Sequence, residues 1–262
     1  MKPVLNSLAS IGGVFLGFLS ASGRMALFAL QAVSHCFRPP FYPRLILRQM
    51  IDIGYFSLPV VGMTAIFTGM VLALQTATGF SSFAAESAVS TVVVLSMTRE
   101  LGPVIAGLMV AGRIGASIAA ELGTMRVTDQ IDALSTLSTN PFKYLVVPRI
   151  LAGTVTLPVL VLIADIIGVF GGFLVSTYKL HYNSYAYLQR TADFLRVSDV
   201  RTGLVKAAIF GFVVTLMGCH YGYNSRGGAQ GVGAATTHAV VSASILILLL
   251  DYVVTALFFA TR

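Results

Sequence analysis

The sequence predicts an all-α polytopic membrane protein, with residues 1–262 forming a single membrane domain. The expected parts are an N-terminal interfacial helix, about five transmembrane helices, a cytoplasmic helix and a short periplasmic helix. Three observations lead there. The 262 residues are 56% hydrophobic and only 10% charged, and the mean hydropathy is +0.85, a composition no soluble domain carries. About five segments reach the roughly 20 mostly apolar residues needed to cross the hydrocarbon core. The net charge of +7 is scattered between those segments, as in basic loops anchoring a cytoplasmic face, not clustered as in a nucleic-acid-binding protein.

Residues 1–43 are read as the interfacial helix and 44–262 as a five-span core. In the first part Val4, Leu8, Ile11, Phe15, Phe18 and Leu19 recur at helical spacing. Asn6, Ser7, Ser10, Gly12 and Gly13 interrupt the apolar run and arginines follow, so a helix lying in or dipping into the inner leaflet fits better than a signal peptide. Pro39, Pro40 and Pro43 end it. The spans fall at about 53–74, 85–112 and on toward 123, 151–177, 203–221 and 239–260. Residues 85–123 as one helix would extend about 58 Å, so the lower end must project into water. Lys2, Arg24, Arg38, Arg44 and Arg48 precede the first span, and Arg113, Arg126, Lys143 and Arg149 follow the second, whereas Glu86 is the lone charge between them. This bias puts the N-terminus in the cytoplasm and the C-terminus in the periplasm. Lys179, Arg190, Arg196 and Arg201 run against it, partly offset by Asp193 and Asp199; residues 185–195 there read as a short surface helix.

Candidate functional residues concentrate in 98–134. Arg99 and Glu100 lie between apolar runs and hence at membrane depth, where an ionisable group needs a partner or a wet cavity. They are either a structural ion pair or a polar element in a transport path. Asp165, Lys206 and Asp251 also fall in or near spans, and the pairs Arg99 with Asp251 and Glu100 with Lys206 are geometrically possible. Gly107, Ala111, Gly115, Ala119 and Gly123 make a small-residue ladder, fit for packing within the chain or for a dimer seam. After it, Glu121, Arg126, Asp129, Gln130 and Asp132 with Val127, Ile131 and Leu134 predict a short amphipathic helix with one charged face. Asn140 and Pro141 look like an N-cap and first helical residue.

Other chemistry is not supported. Cys36 and Cys219 have neither disulfide nor zinc spacing, and His220 and His238 lack supporting ligands, so no metal is expected. Ser117 has no nucleophile-elbow context. No phosphate-binding G-x-x-x-x-G-K-[ST] occurs, and the glycine-rich 222–233 follows a membrane helix, so it is expected to be a cytoplasmic loop. No cofactor is expected on this chain, and any ATP chemistry must come from another subunit.

RELGPVIAGLMVAGRIGASIAAELGTMRVTDQIDAL, TGMVLALQ, NPFKYLVVPRILAG and LDYVVTALFF occur in order over about 215 residues and resemble the MlaE family of ABC transporter permeases. The resemblance implies the permease subunit of a phospholipid transporter that maintains outer-membrane lipid asymmetry, moving lipid between the bacterial inner membrane and a periplasmic carrier. It implies a homodimer, an ATPase subunit carrying the ATP, a STAS-domain protein on that ATPase, and a hexameric ring of MCE-domain lipid-binding subunits. The family's intramembrane charges fall on Arg99, Glu100, Lys206 and Asp251. Its coupling helix to the ATPase falls on Glu121, Met125, Arg126, Asp129, Gln130 and Asp132, and its lipid cavity on Leu72, Gln75, Phe80 and Phe83, between the first and fifth spans. Two other classes remain: a proton-coupled secondary transporter using Glu100 or Asp165, and a non-transporting membrane anchor.

Overall fold

The computed structural model describes residues 2–80 and 85–260, and every regular element among them is helical. Helix α1 spans Lys2–Cys36, α2 Pro43–Ile53 and α3 Leu58–Gly79, with a 3-10 turn at Tyr55–Ser57 between the last two. Pro39 and Pro40 cannot supply helical N–H groups, so α1 stops before them, and Pro43 opens α2 where its missing N–H costs nothing.

The expected long second span is a nearly continuous rod of α4 (Ala85–Ser96), α5 (Gly102–Val110) and α6 (Ala116–Val127), joined by π-helical turns at Met97–Leu101 and Ala111–Gly115. Its apolar part, Ala88–Val127, is 40 residues, about 60 Å of helix. That is twice the hydrocarbon thickness of about 30 Å, so one end stands clear of it. Helix α7 (Gln130–Thr136) follows, then a π turn at Phe142–Val146 leading into α8 (Val147–Tyr178). Asn140 caps this start as expected, its Oδ1 accepting the backbone N–H of Phe142 at 3.0 Å. The predicted surface helix is α9 (Ser184–Phe194), capped by Asn183 Oδ1 through the Tyr185 and Ala186 N–H groups. Helices α10 (Val197–Tyr223) and α11 (Gly228–Ala260) complete the chain.

Two expectations change. Six stretches, not five, are long and apolar enough to cross a membrane by length and composition, because Phe15–Cys36 of α1 also qualifies. The polar interruptions at Asn6 to Gly13 touch only the beginning of that helix. The glycine-rich 222–233 is not a loop: α10 continues to Tyr223 and α11 begins at Gly228, about three turns before the expected start of the last span. The chain reverses through Gly227 and Gly228, both at positive φ, and a Cβ on Gly231 would lie 1.8 Å from the Arg226 carbonyl oxygen. These glycines serve a tight reversal, not a long loop.

Packing centres on α8 and α10. Helix α3 lies along α8, α8 along α10, and α10 is flanked by α6 and α11. Backbones touch where side chains are absent: a Cβ on Gly69 would sit 1.8 Å from the Gly168 carbonyl oxygen, and one on Gly211 2.2 Å from that of Gly153. In hydrocarbon such close approach supplies van der Waals contact that the hydrophobic effect cannot. The small-residue ladder of the rod faces α10 and α11 of the same chain, with Gly107 against Phe210 and Ile247, and Gly115 against Val214. Leu157, Phe210, Met217 and Ile247 fill the core between these helices.

Candidate functional site

The first site grows from a sequence detail in the rod. Pro103 has no N–H to give the Arg99 carbonyl, and the turn over Met97–Leu101 widens to π. Lys206 of α10 fills the vacancy, its Nζ donating to the Arg99 carbonyl at 3.1 Å. The same Nζ meets Glu100 Oε2 at 2.5 Å and Asp251 Oδ1 at 2.8 Å. An ammonium has three protons to donate; here two hydrogen bonds go to the Arg99 carbonyl and Glu100 Oε2, and Asp251 Oδ1 lies beside it as an ion-pair partner, so Lys206 at 0% exposure is matched in charge. Thr255 adds a donor to Glu100 Oε1 at 3.3 Å. The predicted charges Glu100, Lys206 and Asp251 therefore form one cluster linking the rod, α10 and α11.

Arg99 does not join it. The expected Arg99–Asp251 pair is replaced by Arg99 Nη2 to Asp199 Oδ1 at 2.9 Å. Consecutive helical residues point about 100° apart, so Arg99 and Glu100 face different neighbours. Asp199, which looked like a loop charge, lies in the first turn of α10, where the helix dipole also favours a carboxylate. Asp165 is separate again: 6% exposed, its Oδ1 pressed against Gly102 and without a hydrogen-bond partner. It lies in an apolar cavity of about 470 Å³ whose walls include Phe173 and Tyr187.

The second site is a groove of about 550 Å³ on the outer face of α3, lined by Met63, Phe67, Val71, Leu72, Gln75 and Leu101 among others. Two of the predicted cavity residues, Leu72 and Gln75, line it. Phe80 sits just beyond the end of α3, exposed and off the groove wall, and Phe83 lies outside the described residues. Leu101 ends the π turn that begins at Met97, so the groove abuts the backbone carrying Glu100, a side chain 39% exposed.

The third site is the projecting end of the rod. The predicted amphipathic helix over 121–134 is broken in two: α6 ends at Val127, and Asp129 at φ 57 turns the chain into α7. Its apolar side still packs, with Ile131 buried and Leu134 against the core. Its charged side is partly used internally. Glu121 holds Arg149 of α8 at 2.7 Å, and Arg126 holds Asp132 at 2.6 Å. Met125 is partly buried, while Asp129 and Gln130 are exposed, and Asp129 has no ion-pair partner among the described residues.

Sequence reading missed Asp199, Thr255, Arg149 and Arg113 as members of these sites. Arg113, in the second π turn, donates to Ser57 Oγ at 2.8 Å and so ties the rod to the start of α3. A charge inside an apolar run was the available signal for Arg113; a threonine such as Thr255 gives none.

Comparison with known proteins agrees with this architecture. The family Permease MlaE matches residues 46–257. A probable ABC transporter permease protein of Rickettsia felis is 59% identical over 98% of this chain and 99% of its own length. The intermembrane phospholipid transport system permease protein MlaE of Haemophilus influenzae is 32% identical over 98% of both chains. The chloroplastic protein TRIGALACTOSYLDIACYLGLYCEROL 1 of Arabidopsis thaliana is 34% identical over 89% of this chain and 67% of its own. With a family match over most of its length and relatives aligned nearly end to end, this chain belongs to the MlaE family of ABC transporter permeases.

Proposed function

We propose that this permease is the membrane subunit of an ABC-type phospholipid transporter that moves lipid between the bacterial inner membrane and a periplasmic MCE-domain carrier. The observation that carries the reading is the apolar groove on α3, headed by Gln75 and bordered by the turn that holds the charge cluster. Lipid tails need an apolar trough, and a headgroup needs polar groups at its end. Two copies facing each other through α3 and α11 would close this trough into a cavity. Leu72 and Gln75 line it in this reading, with Phe80 just beyond the end of α3.

The energy enters at the other end. An ATPase subunit, bearing a STAS-domain partner, docks on α7 and the end of α6, and the rod carries its motion to the groove as one rigid element. In this reading α1 lies in the inner leaflet without crossing, and the five crossings that follow leave the N-terminus cytoplasmic and the C-terminus periplasmic. The H. influenzae relative, a phospholipid transport permease by name, supports the substrate class.

The test is to co-express the chain with its genomic neighbours, purify the assembly and measure phospholipid transfer from labelled liposomes. Transfer that needs ATP and the ATPase subunit is the expected result. Transfer driven by a proton gradient without ATPase, or an assembly with no ATPase in it, would overturn the reading.

A further inference from the structure

Between α1 and the reversal from α10 to α11 lies a half-enclosed pocket of about 690 Å³ at the same end of the molecule as α7. Arg24 and Gln31 line it from α1, His220 from α10, and Arg226 from the reversal. Phe28 forms its floor, packed on His220 at 5.1 Å and on Phe142 at 5.0 Å. Arg126 and Arg149 are each matched to a carboxylate, but neither Arg24 nor Arg226 has an acidic partner among the described residues, and Arg24 donates only to Ser20 Oγ at 3.3 Å. His220 Nδ1 has no hydrogen-bond partner either.

We infer that this pocket binds the phosphate of an anionic phospholipid headgroup. Two guanidinium forks converging on one cavity match a phosphate's oxygens and charge, and basic pockets between membrane helices on the cytoplasmic side are suited to anionic lipid headgroups. The α1 wall argues for a lipid over a soluble phosphate. It continues outward into Leu27, 67% exposed, and Leu30, 66% exposed, so a ligand whose phosphate sits between the arginines has an apolar helix face for its chains. The site lies away from the α3 groove and holds lipid in place where the groove is proposed to move it.

The experiment uses the full-length chain in nanodiscs of phosphatidylcholine doped with phosphatidylglycerol, extracted gently and weighed by native mass spectrometry. Wild type should retain phosphatidylglycerol in preference to phosphatidylcholine. Arg24→Gln with Arg226→Gln should weaken that retention about tenfold per arginine, while Arg24→Lys with Arg226→Lys, which keeps the charge, should retain more than the glutamine pair. Equal retention by wild type and the glutamine pair, each giving the same thermal unfolding profile, would overturn the inference. Displacement of the lipid by inorganic phosphate would overturn the lipid assignment in favour of a soluble anion. The assay needs neither ATP nor a partner, so its failure leaves the transport reading standing.

Discussion

The charges in the middle of the bundle and those at its α7 end are arranged on opposite plans. In the middle, Lys206 is paired with Glu100 and Asp251 and Arg99 with Asp199, so these charges are consumed by one another, while Asp165 stands apart without a hydrogen-bond partner. At the α7 end Asp129, Arg24 and Arg226 have no opposite charge within the described chain. Burial enforces the first plan, because an unmatched charge in hydrocarbon costs several kcal/mol, whereas water tolerates the second. The difference assigns roles: matched charges brace the rod, α10 and α11 into one body, and the unmatched ones at the α7 end are available to something outside the chain.

The largest way to break this contrast is Lys206→Met, which leaves Glu100 and Asp251 facing each other uncompensated. It should destabilise the fold by about 3–5 kcal/mol, read as a lowered thermal midpoint in detergent, and adding Glu100→Gln and Asp251→Asn should recover most of the loss. Next comes Gly211→Leu, which pushes a side chain into the Gly153 backbone and should cost about 1–3 kcal/mol or more. A thermal midpoint unchanged by it would mean α8 and α10 do not touch there. The smallest effect on stability, within about 0.5 kcal/mol, belongs to Asp129→Lys on the surface. Its consequence lies elsewhere: the ATPase subunit should fail to co-purify. Asp132→Lys is a poorer probe because it also breaks the internal bond to Arg126.

How much of this was readable in the sequence depends on the range of the interaction. Span placement follows from local composition, so the long second span and the Asn140 cap were visible, whereas the apolar stretch Phe15–Cys36 of α1 was not counted among the spans. The Glu100–Lys206 contact was anticipated from matching depths, but Arg99's partner was not. Depth gives a position along the helix axis and says nothing of the direction a side chain faces, which the π turn at Met97–Leu101 resets. The same limit explains α6 and α7. The apolar spacing of Val127, Ile131 and Leu134 fits one helix, yet the backbone turns at Asp129, a residue type that tolerates left-handed φ. The early start of α11 was hidden because glycines read as loop when their role is to let Arg226 and its neighbours fold back closely.

The central claim, that the buried charge cluster braces the permease and does not handle lipid, is tested most directly by removing all its charges at once. The triple variant Glu100→Gln, Lys206→Met, Asp251→Asn leaves no uncompensated charge, and its ATP-driven phospholipid transfer should be measured in the reconstituted assembly beside that of wild type. A bracing role predicts transfer near the wild-type rate with a comparable thermal midpoint. Loss of transfer from a variant that remains folded and bound to its ATPase would contradict it and place Glu100 in the lipid path.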